Sequence, residues 1–197
     1  WEDLLADGVE MGSAFSIHSA NPDALAAGNC LFERRYDGPG PQAAVLETAF
    51  EYEPRYQQLS RSVDARGQVT RCFYGYQGYA AQDPRGCHLT RVELPEVVSG
   101  QTMPQLGVWT FGYDERGRRV FSTDPAGVRT EYTYSAGGAA EGYLQLVVVD
   151  PAQLALVHEF ACDTVGQVTA YWPPRAHGAA DRDAFKISMS VNELGQT

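Results

Sequence analysis

The sequence predicts an all-β fold of consecutive antiparallel β-hairpins, and three observations predict it. A short turn signature recurs along the chain, the segments behind it alternate apolar and polar residues with a period of two, and helix signals are nearly missing. The signature is Asp or Asn with Gly three residues on. Copies begin at Asp64 (to Gly67), Asp83 (to Gly86), Asp114 (to Gly117), Asp124 (to Gly127), Asp163 (to Gly166) and Asn192 (to Gly195), at spacings of 19, 31, 10, 39 and 29 residues. Such unequal spacing is a motif repeat with insertions rather than a strict solenoid period. Gly28-Asn29 and Asp150-Pro151 are degenerate further copies.

Each copy is a device for reversing the chain. The Asp oxygen can accept from the backbone two residues on, Pro behind it presets φ near −65°, and Gly at the fourth position enters a left-handed conformation without a Cβ penalty. The segment behind each Gly is rich in Val, Thr and aromatics, which suit a half-buried pleated surface. Strands are therefore expected at 68–74, 118–123, 128–134, 144–149, 155–161 and 167–172. In the third of these, Val128, Thr130, Tyr132 and Tyr134 form one face and Arg129, Glu131 and Thr133 the other. One short helix is expected near residues 22–27, where Asn21 can cap, Pro22 opens the first turn and Gly28 closes it. The Gly-, Pro- and Ala-rich stretches 38–42, 100–107, 135–142 and 173–183 are expected to be loops between hairpins. Residues 1–27 show no clear repeat, and 28–197 form one repeat region.

The composition bounds what such a chain can do. It has 197 residues, 44% hydrophobic and 20% charged, with 25 acidic against 15 basic side chains, a net charge of −10 and a pI near 4.8. That field repels phosphate backbones and anionic lipid, which disfavours nucleic-acid binding and membrane adhesion. The most apolar stretch, Leu144 to Val149, ends at Asp150, far short of the roughly 20 residues a spanning helix needs. A chain of this size buries about 70% of its unfolded surface, so one core is expected, with no need of metals or disulfides. Cys30, Cys72, Cys87 and Cys162 match no CxxC or zinc spacing, and are expected to be small buried hydrophobes. The N-terminus (Trp1, Glu2, Asp3) is acidic where a secretory signal carries positive charge, and the first residue is not Met, which points to a segment of a longer chain.

The stretches from Phe111 to Arg118 and from Asp124 to Tyr134 resemble the tyrosine-aspartate (YD) repeats of the bacterial Rhs family, which also run through toxin-complex shell proteins and the animal teneurins. Phe50 to Tyr56 leading to Asp64–Thr70, and Gly142 to Asp150 leading to His158–Asp163, resemble the same repeat. The resemblance covers most of residues 28–197. Several copies depart from it, with Cys162-Asp163 and Val191-Asn192 in place of the Tyr-Asp pair. It implies a spiralling β-sheet that walls a hollow shell, with neighbouring repeats of the same chain as partners. It implies further an enclosed C-terminal toxin or a secretion-system component as partner, and a secreted or surface-associated bacterial location. The family's self-cleaving and toxic segments have no counterpart in this sequence.

Chemical motifs give little. His158-Glu159-Phe160-Ala161-Cys162 departs from the HExxH zinc signature at its fifth residue, and in a strand its ends share no helical face. His18, His88, His158 and His177 are scattered. Cys87 and His88 are neighbours, which on a strand would point them to opposite faces, so a thiolate pair is not expected. The recurrent Asp residues occupy one turn position, which favours turn formation over acid catalysis or calcium binding. Tyr52, Tyr74, Tyr76, Tyr113, Tyr132 and Tyr134 are candidates for a glycan-stacking row, with packing the stronger reading. No catalytic, cofactor-binding or metal-binding residue is therefore expected. Two function classes remain, a structural encapsulating module and an adhesin-like module that holds glycan or protein on its sheet face or loops.

Overall fold

A computed structural model describes residues 14–18, 29–36, 45–97, 105–138 and 140–190. About half of this is strand, and the 7% that is helix is all 3-10. The strands are β1 (Ala14–His18), β2 (Cys30–Tyr36), β3 (Val45–Tyr52), β4 (Leu59–Val63), β5 (Val69–Tyr74), β6 (Leu89–Val97), β7 (Gln105–Tyr113), β8 (Arg119–Thr123), β9 (Arg129–Tyr134), β10 (Leu144–Val149), β11 (Leu156–Cys162), β12 (Val168–Trp172) and β13 (Ile187–Ser188). The expected helix near 22–27 lies outside the described residues, as do Gly28, Asn192 and Gly195.

The chain divides into two compact units, one of residues up to Phe73 with Arg91–Val108, the other of Tyr74–Thr90 with Trp109 onward. In each unit the strands are ordered as they are in the chain. The first holds an antiparallel ladder from β1 to β5, in which Phe32 faces Ala49, Ala49 faces Val63 and Ser62 faces Thr70. The second runs from the end of β7 to β13, with Gly112 opposite Phe121, Phe121 opposite Glu131, Glu131 opposite Val148 and Val148 opposite Val157. This is the repertoire of hairpins joined by tight turns, which need no crossover connection.

Strands behind the turn glycines start one residue later than the alternation predicts, because the residue after Gly still closes the turn. Gln68, Arg118, Val128 and Gln167 each accept a backbone bond at the carbonyl from the turn Asp before the strand begins. Two loop expectations are corrected. Residues 105–107 of the stretch 100–107 belong to β7, and 173–183 contains the 3-10 segment Pro174–Ala176 and the start of another, Arg182–Phe185, with Asp181 accepting from the Ala184 N–H. β6 carries Pro95, the residue type that argues most strongly against a strand.

The expectation of one core is also corrected. Among the described residues the buried hydrophobics are Tyr74, Ala170 and Ala176, alongside buried Glu53, Asp83, Thr90 and Ser122. The reason is physical: with no α-helix among the described residues, no helical layer lies on the sheet, and most apolar side chains stay half-exposed. They cover one another instead. Arg119 lies over the Phe111 ring at 4.9 Å, Arg129 over Phe121 at 4.1 Å and Arg118 over Tyr134 at 4.4 Å, and Trp109 stacks with Phe111 at 6.3 Å. Long Arg stems shield apolar surface while the charged head stays wet. On β9 the alternation places Tyr132 beside Ser122 (hydroxyls 3.2 Å apart) on one face. Arg129 and Glu131 share the other face with Phe121.

The turn glycines differ in what surrounds them. Gly67, Gly117, Gly127 and Gly166 all have φ between 77° and 86°, yet a Cβ at Gly67 or Gly127 would meet nothing within 4 Å. At Gly117 it would come within 2.9 Å of the His88 ring, and at Gly166 within 2.4 Å of the Tyr143 ring. Gly67→Ala and Gly127→Ala are therefore expected to cost about 1 kcal/mol, from backbone strain alone. Gly117→Ala and Gly166→Ala should cost about 2–4 kcal/mol, since a packed ring must also move. Denaturant melts of the four variants check this, and equal losses would contradict it.

Candidate functional site

The recurrent acid is the most heavily bonded side chain of each turn. Asp64 accepts at Oδ1 from the N–H groups of Arg66 (2.9 Å) and Gln68 (2.8 Å), accepts at its carbonyl from Gly67, and donates its own N–H to the Gln68 carbonyl. Asp114 repeats the pattern with Arg116 and Arg118, Asp124 with Ala126 and Val128, and Asp163 with Val165 and Gln167. The result is a type I turn closed by a left-handed Gly, the three-residue hairpin loop whose twist matches the strands it joins. At Asp114 the Arg118 guanidinium adds contacts of 2.8 and 2.7 Å to Oδ2. Burial by itself would raise this carboxyl, and the bonds and charge of Arg118 with the Arg116 N–H outweigh it, holding it below the usual carboxylate range.

The signature missed a fifth acid of this kind. Glu53, buried, accepts from the N–H groups of Arg55, Tyr56 and Gln58 at 2.7 to 3.0 Å, and Gln57 takes the left-handed conformation with φ 56°. The β3–β4 loop is one residue longer than the Asp turns, and the extra methylene of Glu spans the added residue. The usable signal was Glu-Pro between two strands. Asp150 is a further variant, accepting from Gln153 and Ala155 at its carbonyl, with Ala155 at φ 47°.

A tyrosine that ends a strand has its own task, whether it stands before the acid, as Tyr52 and Tyr113 do, or before Ser135, as Tyr134 does. Tyr52 donates its hydroxyl to the Cys30 carbonyl, Tyr113 to that of Leu89 and Tyr134 to that of Arg119, each at 2.8 Å. Each acceptor is the first residue of the preceding strand. The tyrosine at the end of one strand thus latches the open end of the hairpin whose other strand precedes it. Burial raises all three hydroxyls, with further contributions from neighbouring groups, so they stay protonated donors. Cys162, which stands before Asp163 where the motif has Tyr, points the same way, its Sγ 3.9 Å from the carbonyl of Leu144, the first residue of β10. A thiol is a weak donor and falls short of the reach of a phenol. Gly112 belongs to the same set, because the Phe121 ring lies across it with 2.0 Å to any Cβ placed there.

Asp83 departs from the other acids. It does not join two strands of a hairpin; it sits in the connection between β5 and β6, fully buried, accepting from the N–H of Arg85 (3.1 Å), the N–H of His88 (2.6 Å) and the His88 ring at Nδ1 (2.9 Å). A Cβ on Gly75 would approach its Oδ2 to 2.6 Å, so only glycine admits the carboxylate. Burial would raise its carboxyl, and the bonds and charge of His88 with the Arg85 N–H reverse this and lower it. The expectation that Cys87 and His88 point apart is corrected. Neither lies in a strand, since β6 starts at Leu89, and the Cys87 Sγ is 3.6 Å from His88 Nδ1. Cys87 is exposed and Cys30, Cys72 and Cys162 half-buried, which corrects their reading as core hydrophobes, while burial raises the thiols of Cys72 and Cys162. Asp83 and Cys87 approach the same imidazole nitrogen, so His88 cannot relay a proton between them as a catalytic histidine would between its two nitrogens. Asp83, Cys87 and His88 are, among the described residues, the group whose three potential ligand atoms lie within 4.8 Å of one another. His158 and Cys162, by contrast, are four residues apart on β11, and His158 Nδ1 is 2.7 Å from the Tyr171 hydroxyl. No described helix is long and apolar enough to cross a membrane.

Solved structures share this fold. A Photorhabdus luminescens Tc holotoxin pore matches 83% of this chain and 8% of that chain, with a TM-score of 0.54 at 18% identity. Crystal structures of TcdB2-TccC3 and of TcdB2-TccC3-Cdc42 each match 82% of this chain and 9% of theirs, with a TM-score of 0.50 at 17% identity. The chain thus spans less than a tenth of the chains it matches. No family model and no curated protein matches the sequence. The all-antiparallel sheet that the Rhs resemblance implied is the fold these toxin-complex structures share with this chain.

The turn and the latch can be tested separately. Tyr113→Phe and Tyr134→Phe are each expected to lose about 1 kcal/mol in chemical denaturation, and Cys162→Tyr to gain a similar amount, because each removes or adds one bond to a backbone carbonyl. Asp114→Asn keeps the Oδ1 acceptor and loses the Arg118 pair. Its deficit against the parent should be complete above about pH 4, near the unfolded carboxyl value, and shrink as pH falls through the lower folded value. Thermal melts between pH 7 and pH 2 check the sign, and a deficit that grows on acidification would refute it.

Proposed function

We propose that this chain is a structural, non-catalytic section of a YD-repeat shell of the Rhs type, which encloses a C-terminal toxin or effector and helps deliver it. The observation that carries the reading is that the motif's chemistry-bearing groups are consumed by the backbone. The turn carboxylates hold N–H groups of their own loops, and the tyrosine hydroxyls hold carbonyls of the neighbouring strand. Oδ1 of each turn carboxylate holds two N–H groups of its own loop, and the rings of Tyr113 and Tyr134 are covered by His88 and Arg118 rather than open to a glycan. The shared fold with Tc complexes supports the same reading, as does the Tyr-Asp motif itself. In such a shell the partners are neighbouring repeats of the longer chain and the enclosed segment, and the location is outside the producing bacterium or at its surface.

The test is limited proteolysis of the parent chain carrying its C-terminal segment, against a version in which the β7–β12 repeats are deleted. Shielding predicts that the C-terminal segment survives in the first and is digested in the second. Equal digestion would remove the shell reading and leave the adhesin reading, which a glycan screen of the chain would then address.

A further inference from the structure

We propose that Asp83, Cys87 and His88 form a three-ligand site for a zinc ion, a role the sequence pattern does not announce. The donor set is one carboxylate oxygen, one thiolate sulfur and one imidazole nitrogen, the types zinc takes in mixed sites. Bonds of about 2.0–2.3 Å in a tetrahedron put nitrogen and sulfur ligands about 3.5 Å apart. Cys87 Sγ and His88 Nδ1 are 3.6 Å apart, already at that spacing. Asp83 Oδ1 and His88 Nδ1, at 2.9 Å, are separated by a shared proton, and the ion would take that proton's place.

The surroundings are those of a prepared site. Asp83 has no solvent exposure, and its carboxylate is fixed by two backbone N–H groups, those of Arg85 and His88, which remain in place when the ring proton leaves. The His88 ring is held flat against Tyr113, with centroids 4.6 Å apart and planes 21° apart, and its edge faces Gly117. Such outer contacts orient the ligands of a metal and tune its affinity. Cys87 is exposed, which gives the ion an entry and leaves the fourth position to water. Charge balances: a carboxylate and a thiolate against a divalent cation, on a chain whose net charge of −10 draws cations in. On binding, the Cys87 thiol gives up its proton to solvent. His88 binds through an unprotonated Nδ1 with its remaining proton on Nε2, so ion binding releases protons. The ion would fasten the loop from Gly75 to His88, whose ends already meet through the Gly75 N–H and the His88 carbonyl.

The test is a titration of the chain with Co(II), whose thiolate complexes absorb in the near ultraviolet, followed by displacement with Zn(II). The expected result is one equivalent bound with a sulfur-to-cobalt band that zinc abolishes, and at least a tenfold loss of affinity in Cys87→Ala with none in Cys162→Ala. Cys87 is exposed, so its variant is expected to fold. Independently, in the parent chain Zn(II) should slow alkylation of Cys87, read by peptide mass spectrometry, and leave Cys30, Cys72 and Cys162 unchanged. A missing band, a band that persists in Cys87→Ala, or alkylation of Cys87 indifferent to zinc would each overturn the site and leave the shell reading untouched.

Discussion

A carboxylate accepting two backbone N–H groups of its own turn is the interaction on which the rest of this structure depends. A strand pair in a sheet with so few buried hydrophobic residues gains little from burial, and chain reversal must therefore be stabilised where it occurs. Bonds from N–H donors to an ionised acceptor are worth about 1.5–3 kcal/mol each, more than neutral ones, and they act over four residues, so little loop entropy opposes them. Once the turn is closed, the register of the strand pair is set. Asp114 sets Thr110 to Tyr113 against β8, and Asp124 sets β8 against β9, without reference to any distant contact.

The motif divides this labour among adjacent letters. In Phe111-Gly112-Tyr113-Asp114 the aromatic is covered by Arg119, the glycine makes room for the Phe121 ring, the tyrosine ties the open hairpin end to Leu89, and the aspartate builds the turn. Arg118 connects turn to latch, bonding Asp114 while its guanidinium lies on the Tyr134 ring. Stabilisation is thus distributed among neighbours, as in repeat proteins where each unit contacts the next and stability is close to a sum of local terms. Asp83 is where the pattern was diverted: the same acid, in a connection rather than a hairpin, buries its charge against His88 and brings Cys87 beside it.

The class of fold and the position of four of its turns were determined by the sequence alone, because both rest on interactions spanning four residues or on a period of two. Asp64, Asp114, Asp124 and Asp163 were legible for that reason, and the strands behind them begin within a residue of their expected starts. Glu53 was not, since a longer acid in a longer loop breaks the spacing while keeping the physics. The latch was legible only as a recurring letter: Tyr134 and Arg119 are 15 residues apart, and which carbonyl a hydroxyl reaches is decided by the strand pairing. Tertiary structure alone also decided that Gly117 and Gly166 are crowded while Gly67 and Gly127 are open. It alone placed Cys87 and Asp83 on one nitrogen of His88. Alternation fixes directions along a strand, but these residues lie in a loop, where direction comes from the partners the backbone meets.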